Sequence, residues 1–297
     1  MPDTPALVRI ANDHLAAEID LFGAELHSLR DEHGRDLQWN GDPAWWTGRA
    51  PVLFPIVGAV AGDVIRVDGR SYPMAKHGFA RRKPWALIAQ DDAAVVLRLE
   101  ADDQTRAAYP FEFRLDLRFA IERTALTMTA TLSNPGSVPL PASFGFHPAL
   151  RWPLPGGAAR ADHRIRFAQD EPAPIRRIDQ DGLLRPAPEP SPIEGRAFIV
   201  RDGLFEDDAM IFDALASRSL RFGTPGGTTL QVDFTGMPLL GIWTKPGAPY
   251  LCIEPWHGIA DPQGYAGEFR DKPGVIEIAP GASHDFGMRI DSRAETL

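Results

Sequence analysis

Two histidines and one glutamate in this 297-residue chain sit in short segments rich in aromatic residues, glycine and proline. His77 opens His77-Gly78-Phe79-Ala80-Arg81, which is followed by Trp85. His147 lies in Phe144-Gly145-Phe146-His147-Pro148, and Glu254 in Cys252-Ile253-Glu254-Pro255-Trp256. An imidazole and a carboxylate, with reference pKa values of about 6.5 and 4.3, are suited to giving and taking protons near neutrality. Flat rings beside such groups suit a sugar, whose C–H face stacks while its hydroxyls hydrogen-bond. His147 and Glu254 each precede a proline, which favours extended backbone before it and cannot donate to a sheet ladder. Both side chains are therefore expected at strand ends, on the rim of a sheet, where a rigid backbone presents them to a ligand.

Other chemistries lack their residues. The sequence has no G-x-x-x-x-G-K-[ST] loop, no G-x-G-x-x-G and no G-x-S-x-G elbow. Ser283-His284-Asp285 resembles a catalytic triad only in composition, because adjacent strand residues point to opposite faces. We read it as a polar turn before the last strand. None of the eight histidines falls in H-E-x-x-H, and the single cysteine, Cys252, excludes a multi-cysteine zinc site and an internal disulfide. No metal is expected.

The elements that must position these residues are strands. In residues 114–121 every second residue is apolar and most of the others are charged, the mark of a half-buried strand. Residues 126–132 repeat the alternation with Thr on the outer face, and the short joint between the two predicts an antiparallel hairpin. Residues 8–10, 15–19, 95–99, 230–234, 241–243, 250–253, 275–278 and 286–290 read similarly. With 27 glycines and 28 prolines, few segments keep a helical period for ten residues; the best helical candidate is a short turn at residues 43–46. The pattern predicts an all-β fold, a large antiparallel β-sandwich, with residues 1–297 as one domain. Residues 153–200, loose and proline-rich, read as long excursions over that one core. The Trp39, Trp45 and Trp46 segment fits the core, a cleft wall or a dimer contact, with the core as the first choice.

A 44% hydrophobic fraction supports a packed core, and an excess of 40 acidic over 31 basic residues disfavours nucleic acid as a partner. No apolar run is long enough to cross a membrane as a helix, and residues 1–5 lack the start of a signal peptide. A cytoplasmic protein is expected.

Taken together, these segments resemble the aldose 1-epimerase (galactose mutarotase) superfamily, specifically its LacX-like bacterial branch, over residues 8–290. The landmarks are Gly23-Ala24-Glu25-Leu26 with Leu37-Gln38-Trp39, residues 51–58, the His77 segment, Phe146-His147-Pro148, Asp208-Ala209, and Trp243-Thr244-Lys245 leading to Glu254-Pro255-Trp256. The resemblance implies a sugar cleft on one sandwich face, with neither metal nor organic cofactor. It implies His147 as the acid that protonates the ring oxygen, Glu254 as the base for the anomeric hydroxyl, and His77 as a second histidine positioning the sugar. Asp208 would bind sugar hydroxyls, and Arg81, Trp243, Trp256 and Phe146 join it as candidate substrate contacts. The activity implied is interconversion of α- and β-anomers of a free aldose by ring opening and reclosure. The alternatives are a hexose-phosphate mutarotase, for which Arg81, Arg82 and Lys83 form a basic cluster, and a non-catalytic sugar-binding protein. Ala59 stands where relatives commonly carry an arginine, so Arg81 or Lys245 is a candidate replacement cation. The partner is a small sugar, and the chain is a monomer or homodimer.

Overall fold

The computed structural model describes residues 6–294 and 297; residues 1–5, read above for a leader, lie outside the described residues. The predicted hairpin is present as Arg114–Glu122 and Ala125–Ser133, closed at Glu122↔Ala125. Leu115, Leu117 and Phe119 alternate inward opposite Leu126, Met128, Ala130 and Leu132, all buried. The hairpin lies within a nine-stranded antiparallel sheet. On one side follow Ala94–Glu100 and Ala86–Gln90; on the other follow Ser283–Asp291, Thr229–Thr235, Ser219–Gly223, Arg164–Phe167 and Ala197–Ile199. The last two come from the loose 153–200 region, and their Ile165, Phe167 and Phe198 enter the main core.

A second sheet of six strands runs in the order Met210–Phe212, Leu239–Trp243, Tyr250–His257, Phe144–Phe146 and Val52–Leu53, with Ala149–Arg151 also paired to Tyr250–His257. Leu240, Ile242, Leu251 and Ile253 from this sheet share one hydrophobic cluster with Leu115, Leu117 and Phe286 from the larger sheet. The large antiparallel β-sandwich expected from the alternation is thus the fold observed. The opposite face of the six-stranded sheet carries two smaller clusters, one around Trp256 and Ile211 and the other around Trp39, Tyr250 and Cys252.

Two local expectations change. Ser283-His284-Asp285 is not a turn but the start of strand Ser283–Asp291. Ser283 donates to the Ser133 hydroxyl and Asp285 accepts from Thr131, so the two are occupied by cross-strand pairing. The α-helix among the described residues is Asp103–Ala108, while residues 43–46 form a turn in which the Trp45 and Trp46 N–H groups share the Asp42 carbonyl. The helix is only six residues long, too short for a hydrophobic period. Its sequence signal is the cap: Asp102 accepts from Thr105 N–H, and the Thr105 hydroxyl accepts from Asp102 N–H.

Candidate active site

His147 occupies the break between strands Phe144–Phe146 and Ala149–Arg151, as its proline neighbour predicts. Glu254 does not sit at a strand end. It lies in the middle of Tyr250–His257, and Pro255 is part of the same strand. The neighbouring register explains how the strand tolerates that proline. On one side Tyr250–His257 pairs first with Ala149–Arg151, at Ala149↔Cys252, and then with Phe144–Phe146, at Gly145↔Trp256. Pro255 falls in the gap between the two, where a missing donor leaves no ladder carbonyl unpaired. Both prolines therefore belong to one interruption of the sheet, and the chemistry faces into it.

Alternation along Tyr250–His257 sends Leu251 and Ile253 to the core and Tyr250, Cys252, Glu254 and Trp256 to the other face. Glycines on both adjacent strands make room for the Trp256 indole. A Cβ at Gly241 would lie 2.5 Å from its ring, and one at Gly145 would lie 2.7 Å from it. The resulting cleft has a volume of about 260 Å³ and is lined by His77, Arg81, His147, Asp208, Trp243, Glu254 and Trp256, together with Trp46, Lys76 and a wall of Gly58, Ile178, Gly182, Ala209, Ile211 and Ala260. Seven of the eight sequence candidates meet there. Phe146 does not: one residue before His147, it points the other way and is buried in the main core against Phe144.

The centre of the cleft is a direct contact, His147 Nε2 to Glu254 Oε2 at 3.1 Å. Glu254 is 2% exposed. Burial pushes its carboxyl well above the usual carboxylate range; Asp208 adds to the rise, and Lys76 and the Trp256 side chain oppose it. His147 moves the other way, down to about 3, chiefly through burial and secondarily through Arg81. The ordinary values expected from sequence do not hold, because both groups have left water. Burial thus favours the uncharged form of each partner, the carboxyl and the imidazole.

His77 is fixed through backbone. Its N–H donates to the Gly58 carbonyl at 2.8 Å, and the Gly58 N–H donates to its Nδ1 at 3.1 Å. With Nδ1 accepting, the ring proton lies on Nε2. Burial first, then the neighbouring His147, Lys76 and Arg81, push the imidazole well below its usual pKa. His77 has φ +66° and Asp208 has φ +61°, left-handed values that cost a non-glycine residue energy. Gly78 next to His77 cannot be replaced, since a Cβ would meet the Phe54 carbonyl oxygen at 2.1 Å. Asp208 is held in place by the buried Arg177, which donates to the Asp208 carbonyl at 2.7 Å and to that of Leu204 at 2.9 Å.

Trp46 lines the cleft, where the sequence reading favours the core. Its ring lies 5.2 Å from His147 and 5.7 Å edge-on from Trp243. Trp39 is the core residue of that segment, 2% exposed, and its indole N–H donates to the Trp46 carbonyl, fixing the turn. The Trp-Trp doublet after Asp42-Pro43 was the available signal. Lys76, beside His77, had none beyond adjacency, and the wall from Ile178 to Ala260 comes from loops and the edge strand Met210–Phe212, segments distant from one another in sequence. Of the basic candidates, Arg81 reaches the cleft. Arg82 donates to the Gly78 carbonyl, Lys83 pairs with Asp102, and Lys245 lies over the Trp45 ring.

Among the described residues, one group has metal-ligand spacing: His147, Cys252 and Glu254, with ligand atoms within 4.8 Å of one another. It makes a poor metal centre. Cys252 is fully buried and does not line the cleft, and its thiol is pushed well above its usual range by burial and Glu254. The His147 nitrogen in contact with Glu254 is already engaged.

The chain is similar to known proteins over nearly its whole length. The protein LacX of Lactococcus lactis subsp. lactis is 27% identical over 283 residues, covering 92% of this chain and 95% of its own. A galactose mutarotase related enzyme from Lactobacillus acidophilus superposes with a TM-score of 0.87 at 26% identity, covering 98% of each chain. A galactose mutarotase-like protein from Lactobacillus casei gives 0.87 at 25% identity, over 96% of this chain and 99% of its own. Residues 6–277 match the sequence family described as aldose 1-epimerase, and the chain belongs to that family, on its LacX-like branch.

Proposed function

We propose that this sugar isomerase of the aldose 1-epimerase family is a mutarotase for a free aldose, working without a cofactor through the His147–Glu254 pair. The observation that carries the reading is the 3.1 Å contact between the two, at the floor of an aromatic-walled cleft. Opening a cyclic hemiacetal removes one proton from the anomeric hydroxyl and delivers one to the ring oxygen. Both oxygens are bonded to the same carbon, so an acid and a base a few ångströms apart reach both.

The neutral pair, carboxyl and imidazole, and the charge-separated pair, carboxylate and imidazolium, contain the same number of protons. Moving one proton across the contact interconverts them, so the assignment of His147 as acid and Glu254 as base needs no proton from solvent. In the charged form His147 protonates the ring oxygen while Glu254 takes the anomeric proton. The open aldehyde turns about C1–C2, and reclosure reverses each transfer. His77, with its proton on Nε2, donates a hydrogen bond to the sugar beside the ring oxygen. Asp208, exposed at the mouth, accepts from sugar hydroxyls, while Trp46, Trp243 and Trp256 provide apolar faces.

The test is polarimetric decay of a pure anomer at low protein concentration, with galactose and glucose first. Wild-type protein is expected to accelerate the decay over buffer. Sugar binding by calorimetry with no acceleration would replace this reading by a non-catalytic binder. One observation favours a second reading, a hexose-phosphate substrate: Arg81 and Lys76 line the cleft and make no ion pair among the described residues. A kcat/KM for glucose 6-phosphate well above that for glucose would select it.

A further inference from the structure

Behind the cleft wall lies an ion pair that the chemistry above does not use. Lys272 Nζ is 3.0 Å from Asp261 Oδ1, and their side chains are 1% and 6% exposed. Two opposite charges so completely removed from water are a weak source of stability, so their retention asks for another role. Asp261 engages four polar groups. Its Oδ2 accepts from the Ala61 N–H at 2.9 Å, and its own N–H donates to the Ala59 carbonyl at 2.9 Å. Its carbonyl accepts from the Leu184 N–H at 2.8 Å, and its Oδ1 meets Lys272. One residue thereby ties the 58–61 loop, the 179–184 loop and its own segment together, and each contributes a residue to the wall: Gly58, Gly182 and Ala260.

The 58–61 loop is also what orients His77, through the reciprocal Gly58–His77 hydrogen bonds. Gly58 itself has no slack: its φ is +75°, and a Cβ there would lie 2.6 Å from Ala260 Cβ. We propose that Asp261, held by Lys272, is a positioning residue for His77: by clamping Ala59 and Ala61 it keeps the Gly58 N–H on Nδ1 and so keeps the His77 proton on Nε2, aimed at substrate. The catalytic consequence rests on the role given to His77 above; the tautomer does not.

Removing Asp261 alone would strand a buried lysine, so the experiment uses paired variants. D261N/K272M removes both charges and leaves a side-chain oxygen for the Ala61 N–H; D261A/K272M removes both charges and that acceptor. Both are checked for native circular dichroism, and the ring-nitrogen shifts of His77 are read by ¹⁵N NMR in each and in wild type. The expected result is a single Nε2–H tautomer in wild type and D261N/K272M, and a mixture of tautomers in D261A/K272M. Misplacement on this scale is expected to lower kcat/KM about 10- to 100-fold in D261A/K272M, with D261N/K272M within about threefold of wild type. Adding His77→Gln to D261A/K272M is expected to cost little more, because residues acting through one group are non-additive. A single Nε2–H tautomer in D261A/K272M overturns the proposal, as do rate losses that multiply with His77→Gln. If His77→Gln alone leaves turnover unchanged, the role given to His77 fails instead, and the tautomer measurement still decides the clamp.

Discussion

The strand Tyr250–His257 has two faces that are equally dry and chemically opposed. Leu251 and Ile253 are 0% exposed within the sandwich core; Cys252 and Glu254, alternating with them, are 0% and 2% exposed on the cleft side. At Leu251 and Ile253 burial is favourable without qualification, because neither side chain has hydrogen-bonding capacity to lose; His257, at the end of that face against Phe286, keeps its Nδ1 on the Gly274 carbonyl. On the cleft face the same burial pushes the Glu254 carboxyl up and the His147 imidazole down, and His147 Nδ1 finds no hydrogen-bond partner of good geometry among the described residues. Dryness therefore does not distinguish this site from its core. Unspent hydrogen-bonding and protonation capacity does, and a hemiacetal is a ligand able to use it.

The sharpest way to break that contrast is to disable one face at a time. Glu254→Gln and His147→Asn keep shape and remove proton transfer, so each is expected to lower mutarotation by about 10²- to 10⁴-fold with native circular dichroism. Wild-type rates in either variant would remove that residue from the chemistry. Leu251→Ala, on the core face, should do the reverse. It is expected to cost about 2–5 kcal/mol of stability in urea unfolding and leave the rate per folded molecule within a few-fold. A large rate loss there, at full folding, would mean that the two faces are not independent.

Gly241 tests the boundary between them. Gly241→Ala would place a methyl against the Trp256 ring, and relieving the clash is expected to cost about 1–3 kcal/mol and raise KM by shifting the ring. Unchanged stability and KM would show that the indole has room that this packing denies it.

The two faces also differ in how much of them is legible in the sequence. The core face was readable because alternation is a repeated signal: residues 114–121 and 126–132 predict both strands and their hairpin. His77, His147, Glu254, Asp208, Arg81, Trp243 and Trp256 were found by residue type and family resemblance, and all line one cleft. Phe146 was misplaced because a motif says which residues travel together, whereas strand alternation sends Phe146 and His147 to opposite faces. Glu254 was misplaced at a strand end because the interruption that accommodates Pro255 lies in the neighbouring strands, outside its own segment. Lys76, Ala260 and the Asp261–Lys272 pair had no local pattern; loops separated by up to 200 residues create them. The pKa directions were unreadable for the same reason, since burial is a property of the assembled cleft.

Those directions give the smallest effect, and it separates the faces by pH alone. An unfolded histidine takes up a proton near pH 6.5, whereas folded His147 resists protonation until about pH 3. Between those values the unfolded His147 binds a proton that the folded one refuses, so this group's contribution to stability is present above pH 6.5 and lost as pH falls. Glu254, raised by burial, contributes in the opposite sense, keeping a proton in the folded chain that the unfolded carboxylate releases. The loss due to His147 alone is about 1.4 kcal/mol per pH unit. His147→Asn is expected to remove that loss, changing the slope of unfolding free energy between pH 6.5 and 5 by about that amount relative to wild type, while Leu251→Ala should lower stability equally at every pH. Turnover per folded molecule should show no inflection near pH 6.5, because the carboxyl–imidazole pair neither gains nor loses a proton there. A rate that falls with an apparent pKa near 6.5 would mean that His147 titrates as an exposed imidazole, and the dry, uncharged pair would have to be abandoned.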